Sequence, residues 1–389
     1  MVYIILTYLI SPLIYIVFFF KRNEAKRILV IQTAKIGDLI CSTPVFRAVK
    51  KRYPHAHLTA IVNPTVRGLL EYNPYINEII EIERGFYKGF AGKIRLARML
   101  HKGGYDIAIS LNPNVPFTLA MFWGLIPVRV SVMPDPRLKP SGTSFAGITY
   151  RMASVFSTHL AQHIRGRLVA ETYMAMLKAI SIDANDISKD VFKSPNADDK
   201  VESFLKENNP PFIPPLVKGD TGGFVGLAVT SGNKLKEWDA EKMAALACRL
   251  VTEMGAYVVL IGSEKDRDVS NRILSIAERR DMIIDAVGRF TLSELPALIE
   301  KLSLFIGVDT GIIYMADALN IPLVDIAGPS DMEDQRPTGK KVFIIQKKLS
   351  CVPCSHTFKA PYECRYGYRK CITDITVEEV FEGVSRLMA

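Results

Sequence analysis

Arg27-Ile28-Leu29-Val30-Ile31-Gln32, followed by Thr33-Ala34-Lys35-Ile36-Gly37-Asp38 and then an amphipathic stretch over 39–52, is the segment whose reading decides the fold. Residues 28–31 form a short, unbroken apolar run, the pattern of a strand buried on both faces. The loop after it leads straight into a helix that ends near Tyr53-Pro54. Outward from this unit the alternation continues. Strands are predicted at 58–62, 79–82 and 107–111, with helices at 65–72 and 91–101. A second series places strands at 224–230, 257–261, 304–308 and 322–326, and helices at 240–253, 266–279, 292–301, 312–319 and 377–388. Strands separated by helix-length segments imply βαβ units and parallel sheets.

Between the two series the texture changes. Asn208-Asn209-Pro210-Pro211, then Pro214-Pro215, then Lys218-Gly219-Asp220-Thr221-Gly222-Gly223 reads as a linker. The expected organisation is an N-terminal anchor at 1–22, a first Rossmann-like domain at 24–207, the linker at 208–223, a second domain at 224–375 and a closing helix at 376–389. A chain of 389 residues suits two domains of ordinary size, and 49% apolar residues are enough for two cores. Two such halves on a Pro-rich hinge predict a cleft between them, where ligands usually bind.

Residues 1–20 carry no charge and are long enough to span a bilayer. Lys21, Arg22, Lys26 and Arg27 follow, so the positive-inside rule keeps the rest of the chain in the cytoplasm. Pro12 and Ser11 leave a monotopic anchor and a buried first helix as rivals. The net charge of +9 favours anionic partners. No dense Lys/Arg run interleaved with aromatics is present, so a nucleic-acid groove is not expected. A membrane surface and phosphate-bearing substrates fit better. Lys35, Arg47, Arg95, Arg98, Arg151 and Arg165 are basic residues that could meet a phosphorylated acceptor, or simply be solvated surface.

Four loops follow predicted strands and would gather at one edge of each sheet. In the first, Gly37 permits a tight turn and Asp38 is either a helix N-cap or a base for an attacking hydroxyl. The second runs Val229-Thr230-Ser231-Gly232-Asn233-Lys234-Leu235-Lys236-Glu237-Trp238, where amides, hydroxyls and an ammonium suit a diphosphate. It is no P-loop, and no G-x-G-x-x-G follows the first strand. A solvated basic loop with Trp238 as packing is the plainer reading. In the third, Gly262-Ser263-Glu264, the acid either meets a ribose or favours a helix start. The fourth, Gly307-Val308-Asp309-Thr310-Gly311, opens into a helix, and Gly328-Pro329-Ser330 closes the next strand.

Taken in order, Arg27 to Gln32, Gly37-Asp38, Thr43-Pro44, Lys236-x-Trp238, Gly262-Ser263-Glu264, Asp309-Thr310-Gly311 and Gly328-Pro329-Ser330 resemble the motifs of the bacterial heptosyltransferases of glycosyltransferase family 9. The resemblance runs from about Arg27 to the C-terminus. It implies a GT-B-like fold, two Rossmann-type parallel-sheet domains facing across a cleft. It further implies an inverting, metal-independent transferase, needing no catalytic cofactor, that moves a sugar from a nucleotide-sugar donor (ADP-heptose) to a lipopolysaccharide-core glycolipid at the cytoplasmic face of the inner membrane. Asp38 is then the general base, beside Gly37 and Lys35 on the acceptor side. Ser231, Lys236 and the amides of Thr310 and Gly311 hold the diphosphate, Glu264 reaches the nucleoside and Asp309 the donor sugar. A His commonly follows Asp-Thr-Gly by three residues in that family, and Tyr314 stands here instead. That departure keeps two alternatives open, a degenerate membrane-tethered binding protein and a transferase with another nucleotide-sugar.

Cys351-x-x-Cys354, Cys364 and Cys371 cluster near the C-terminus and suggest a structural zinc site. His356 is either a substitute ligand or a surface residue. Cys41 and Cys248 fall on predicted helices as small buried residues. His159 and His163, at helical spacing, are expected on the surface or acceptor side.

Overall fold

The computed structural model describes residues 2–20, 25–135, 144–208 and 223–388. Lys21, Arg22 and most of the expected linker (209–222) lie outside them. The chain divides into two compact units, Met1–Ile187 with Thr357–Lys359, and Ser188–His356 with Ala360–Ala389.

The first unit contains α1 (Val2–Phe19), β1 (Arg27–Gln32), α2 (Ile36–Arg52), β2 (His57–Val62), β3 (Glu78–Glu81), α3 (Gly89–Gly103), β4 (Ile107–Ser110), α4 (Val115–Trp123), β5 (Val128–Met133), α5 (Ser144–Ser154), β6 (His159–Gln162) and α6 (Val169–Met176). Its six strands are ordered β3-β2-β1-β4-β5-β6, and every pairing is parallel. The central strands carry the apolar runs because helices cover both their faces.

The second unit begins before the Pro-rich segment. Its elements are α7 (Ala197–Glu207), β7 (Phe224–Ala228), α8 (Ala240–Met254), β8 (Tyr257–Ile261), α9 (Arg267–Ile276), β9 (Ile283–Asp285), α10 (Leu295–Glu300), β10 (Leu304–Val308), α11 (Gly311–Ala318), β11 (Leu323–Ile326), β12 (Val342–Ile345), α12 (Lys370–Thr373) and α13 (Val377–Met388). The strand order, β12-β11-β10-β7-β8-β9, repeats that of the first sheet, again all parallel. Helix α7 packs in this unit through Lys200–Glu294 and Lys301–Glu202 ion pairs. Nearby, the buried Lys189 ammonium meets Asp317 at 2.6 Å. Residues 188–207 therefore sit with the second sheet, upstream of the boundary that the composition change suggested.

Strands β5, β6, β9 and β12 escaped the sequence pattern, β5 and β6 for physical reasons. Arg129 interrupts β5, yet it is buried, donating to the carbonyls of Phe156 at 2.7 Å and Pro127 at 3.0 Å. Strand β6 lies at a sheet edge and is largely exposed, so it carries no apolar run. His159 and His163 belong to this edge and the residue after it, not to a helix. His163 is fully buried, with Nδ1 2.9 Å from the Thr172 hydroxyl, so the expectation of a surface pair is corrected for that residue.

Helix α1 is long and apolar enough to cross a membrane. One stripe of it nevertheless packs within the first unit, where Ile4 joins Leu119, Phe122, Ala153 and Phe156 in a small core.

Candidate active site

In a doubly wound sheet the strand order reverses at one point, and ligands bind outside the carboxyl ends of the two strands flanking it. Here those pairs are β1/β4 in the first sheet and β7/β10 in the second. The loops after β7 and β10 carry Ser231, Lys236, Asp309, Thr310 and Gly311. Five of the sequence-derived candidates are thus brought to one switch point by topology alone.

Across that point Lys236 Nζ donates to Asp309 Oδ2 at 2.6 Å, and the Tyr314 hydroxyl donates to Asp309 Oδ1 at 2.7 Å. Burial would raise the Asp309 carboxyl. The Lys236 ammonium, by charge and hydrogen bond, outweighs it with the help of the Tyr314 hydroxyl and holds the group below the usual carboxylate range. Asp309 is therefore ionised and fixes the ammonium in place. Helix α11 opens at Gly311 with Thr310 as its N-cap, and the Thr310 side chain makes no capping bond. The start of that helix carries partial positive charge beside the Lys236 ammonium. Together they gather positive charge at one corner of the switch point.

The loops after β7 and β8 are tied by Asp266. Its Oδ1 accepts from the Thr230 hydroxyl at 2.6 Å, and its Oδ2 from the Ser263 amide and hydroxyl, both at 2.7 Å. Glu264 is exposed and paired with Arg267 at 2.7 Å. The Arg267 hydrogen bond, the largest influence on it, lowers the Glu264 carboxyl. Its carboxylate lies over Gly288, whose φ of +73° and lack of a side chain leave the room it needs. Asn233 caps the short turn holding Lys236, accepting from the Leu235 amide and donating to the Pro361 carbonyl. Trp238 is packing: it is buried, and its Nε1 donates to the Ile375 carbonyl at 3.0 Å.

At the first sheet's switch point, Asp38 lies in the opening turn of α2, half-buried. The N-cap of that helix is Lys35, so the capping alternative for Asp38 is set aside. Gly37 is buried one residue before it, while Lys35 is exposed. The Thr33 amide donates to Asn112 Oδ1 at 2.9 Å, joining the loops after β1 and β4. Behind them the buried Tyr173 hydroxyl is pushed well above its ordinary value, first by burial and then by the Asp38 charge. Of the basic residues considered for an acceptor, Arg47 is buried and paired with Asp186 at 3.1 Å.

With this geometry in place, the comparisons are informative. Residues 93–363 match the model described as glycosyltransferase family 9 (heptosyltransferase). The chain belongs to that family. It is 26% identical to lipopolysaccharide heptosyltransferase 2 of Salmonella typhimurium, over 93% of this chain and 99% of that one. In fold it is similar to a glycosyl transferase family 9 structure from Veillonella parvula (TM-score 0.74, 22% identity, 95% and 98% of the two chains). It is also similar to E. coli ADP-heptose lps heptosyltransferase II (TM-score 0.69, 23% identity, 93% and 98%). This family 9 chain is a glycosyltransferase with two Rossmann-type domains of GT-B-like class.

The sequence passed over Asp266, Asn112 and Asp325 of this glycosyltransferase. The first two are ordinary polar residues whose partners, Thr230 and Thr33, lie far along the chain. Asp325 stands out in hindsight, as a lone acid within the apolar run of β11. It is fully buried, and neither carboxylate oxygen has a hydrogen-bond partner. Burial, and then the neighbouring Asp309 charge, push its carboxyl well above the usual range.

The six cysteines are unbridged. Cys351, Cys354 and Cys364 lie in the loop region before α12, and Cys371 lies on that helix. Among the described residues, the donors gathered within 4.8 Å of one another are Asp331, Asp334 and His356. Cys371 is pushed up to about 11 by burial and by the neighbouring Cys354, Cys351 and Cys364. His356 is not a surface residue: its side chain is 9% exposed and meets Asp331 at 2.8 Å. Hydrogen bonds to Asp331 and then Asp334 raise it to about 9, so it is a cation at neutral pH.

Proposed function

We propose that this glycosyltransferase transfers heptose from ADP-heptose to a lipopolysaccharide-core or related phosphorylated glycolipid, with inversion and without a catalytic metal, at the cytoplasmic face of the inner membrane. The observation that carries the reading is the Lys236–Asp309–Tyr314 chain beside the start of α11. A fixed ammonium and a helix N-terminus supply the positive charge that a departing diphosphate needs. In the proposed step the acceptor hydroxyl oxygen bonds to the anomeric carbon, the bond from that carbon to the diphosphate breaks, and Asp38 takes the hydroxyl proton. The nucleoside diphosphate leaves with the electron pair, held by Lys236, Ser231 and the amides of Thr310 and Gly311. Glu264 is proposed to reach the nucleoside after exchanging its Arg267 partner. Asp309, already oriented by Lys236 and Tyr314, is proposed to meet the donor sugar. The heptosyltransferase relatives support the donor and acceptor classes.

Thermal unfolding with ADP, GDP, UDP and their diphospho-sugars, in EDTA, tests the donor. A ligand that binds only the folded state raises the midpoint. The expected result is stabilisation by ADP and ADP-heptose above the rest. Preference for a UDP or GDP sugar would overturn the heptose assignment, and silence toward all of them would overturn the transferase mechanism.

Cys351, Cys354, Cys364 and Cys371 are also proposed to hold a structural zinc ion. Burial raises the Cys364 thiol, but the amides of Arg369, Tyr366, Gly367 and Tyr368 outweigh it and favour the thiolate. Elemental analysis of the purified protein should find one zinc per chain, lost in Cys364→Ser; no metal above background would remove the proposal.

A further inference from the structure

Helix α1 is apolar on every side, so its sequence does not say which side is buried. The fold does. Ile4 and Thr7 are fully buried, and Ser11, Ile14 and Phe18 half-buried, a seam at alternating spacings of three and four residues along one face. Polar locks hold this seam to the first domain. Thr7 Oγ1 accepts from Trp123 Nε1 at 3.0 Å, and the Tyr8 hydroxyl donates to the Met152 carbonyl at 2.8 Å. At the other end the Phe18 ring covers the buried Arg129 guanidinium, 4.5 Å from its centroid. A helix of 18 residues is about 27 Å long, and it is fastened near both ends. Crossing a bilayer would strip α1 from α4 and α5 and uncover Arg129.

The opposite face looks outward. Val2, Leu9, Leu13 and Ile16 are 71%, 71%, 69% and 58% exposed, and Ile148 and Val155 of the adjoining α5 region are 55% and 59% exposed. Around this surface the charge has one sign. Helices α1, α3, α4 and α5 contain no Asp or Glu. Lys93 of α3 lies 4.6 Å from the Tyr3 ring of α1, and Arg95, Arg98 and Lys102 line a shallow groove of about 640 Å³ along α3. An apolar helix face flanked by cations matches the boundary between acyl chains and anionic headgroups.

We propose that α1 anchors the protein in the plane of an anionic membrane surface, docked lengthwise on the first domain, and does not cross the bilayer. This takes the membrane location from the preceding reading and specifies how the chain meets it. The full-length protein should float with phosphatidylethanolamine vesicles containing phosphatidylglycerol, and at least tenfold less with phosphatidylcholine vesicles. Leu9→Glu/Leu13→Glu/Ile16→Glu should cut the bound fraction at least tenfold while leaving the unfolding midpoint and its response to ADP unchanged. A single cysteine on a short hydrophilic extension ahead of the helix, read on the peptide that carries it, should react with a membrane-impermeant maleimide in inverted inner-membrane vesicles but not in intact cells. Reaction from intact cells alone would show a spanning helix and overturn the proposal. So would wild-type binding by the triple variant, or equal binding to phosphatidylcholine. The ADP response, measured on the same samples, separates failure of the anchor from failure of the donor site.

Discussion

The two switch points of this chain share one topology and carry opposite chemistry. Both sheets have the same strand order, so both gather the loops after their first and fourth strands. In the second sheet those loops are bridged by a cation: Lys236 spans to Asp309, and Tyr314 ties the carboxylate down. In the first they are bridged by an uncharged contact from Thr33 to Asn112, with one carboxylate, Asp38, on the opening turn of α2 beside a buried tyrosine. The shared scaffold decides where a site lies. In the proposed reaction the side chains divide the work, an anion held on one side and a proton accepted on the other.

The sharpest way to break this division is Asp38→Ala. Loss of a general base typically costs 10²–10⁴ in rate, so transfer should fall about a thousandfold with unfolding midpoint and ADP response unchanged. Turnover at the wild-type rate would end the base assignment. Next is Lys236→Met, which leaves the ionised Asp309 buried without its cation. Breaking such a pair costs about 3–5 kcal/mol, read by chemical denaturation, and ADP stabilisation should vanish. Adding Asp309→Asn should recover most of the stability and none of the transfer; recovered transfer would show that the charge is dispensable. Asp325→Val runs in the opposite direction. A buried acid raised far above its unfolded value holds its proton in the folded state, so it lowers stability increasingly as pH climbs above the unfolded value of about 4. The substitution should stabilise the protein, by about 1–3 kcal/mol near neutral pH, and the gain should shrink in acid. Smallest is Tyr314→Phe, which removes one of the hydrogen bonds to Asp309 and should cost about 1–2 kcal/mol, with a modest drop in ADP affinity. A loss as large as that of Lys236→Met would mean the phenol has a direct part in transfer.

Much of this was legible in the chain. Central strands such as β1, β2, β4, β8 and β10 announced themselves because strands buried on both faces must be continuously apolar. The loops mattered because they follow such strands. Edge strand β6 was hidden, since an edge is wetted and needs no such run, whereas β12 carries the run Val342-Phe343-Ile344-Ile345 and was passed over. Strand β5 was hidden by Arg129, whose burial depends on carbonyls and rings supplied from elsewhere. His163 and His356 misled for a related reason. Each is buried by distant partners, Thr172 for one and Asp331 for the other, that spacing along the chain does not reveal.

The sequence by itself determined that two parallel α/β sheets form, which loops lie at their carboxyl edges, and that an uncharged helix precedes them, because these follow from hydrophobic periodicity and turn residues. Only the tertiary structure decided that Lys236 grips Asp309, that Tyr314 spends its hydroxyl on that carboxylate, and which stripe of α1 faces protein. The first and last depend on groups 73 and 116 residues apart meeting at hydrogen-bond distance, a separation that the packed fold sets rather than local pattern. Tyr314, five residues from Asp309, meets it across the turn from β10 into α11.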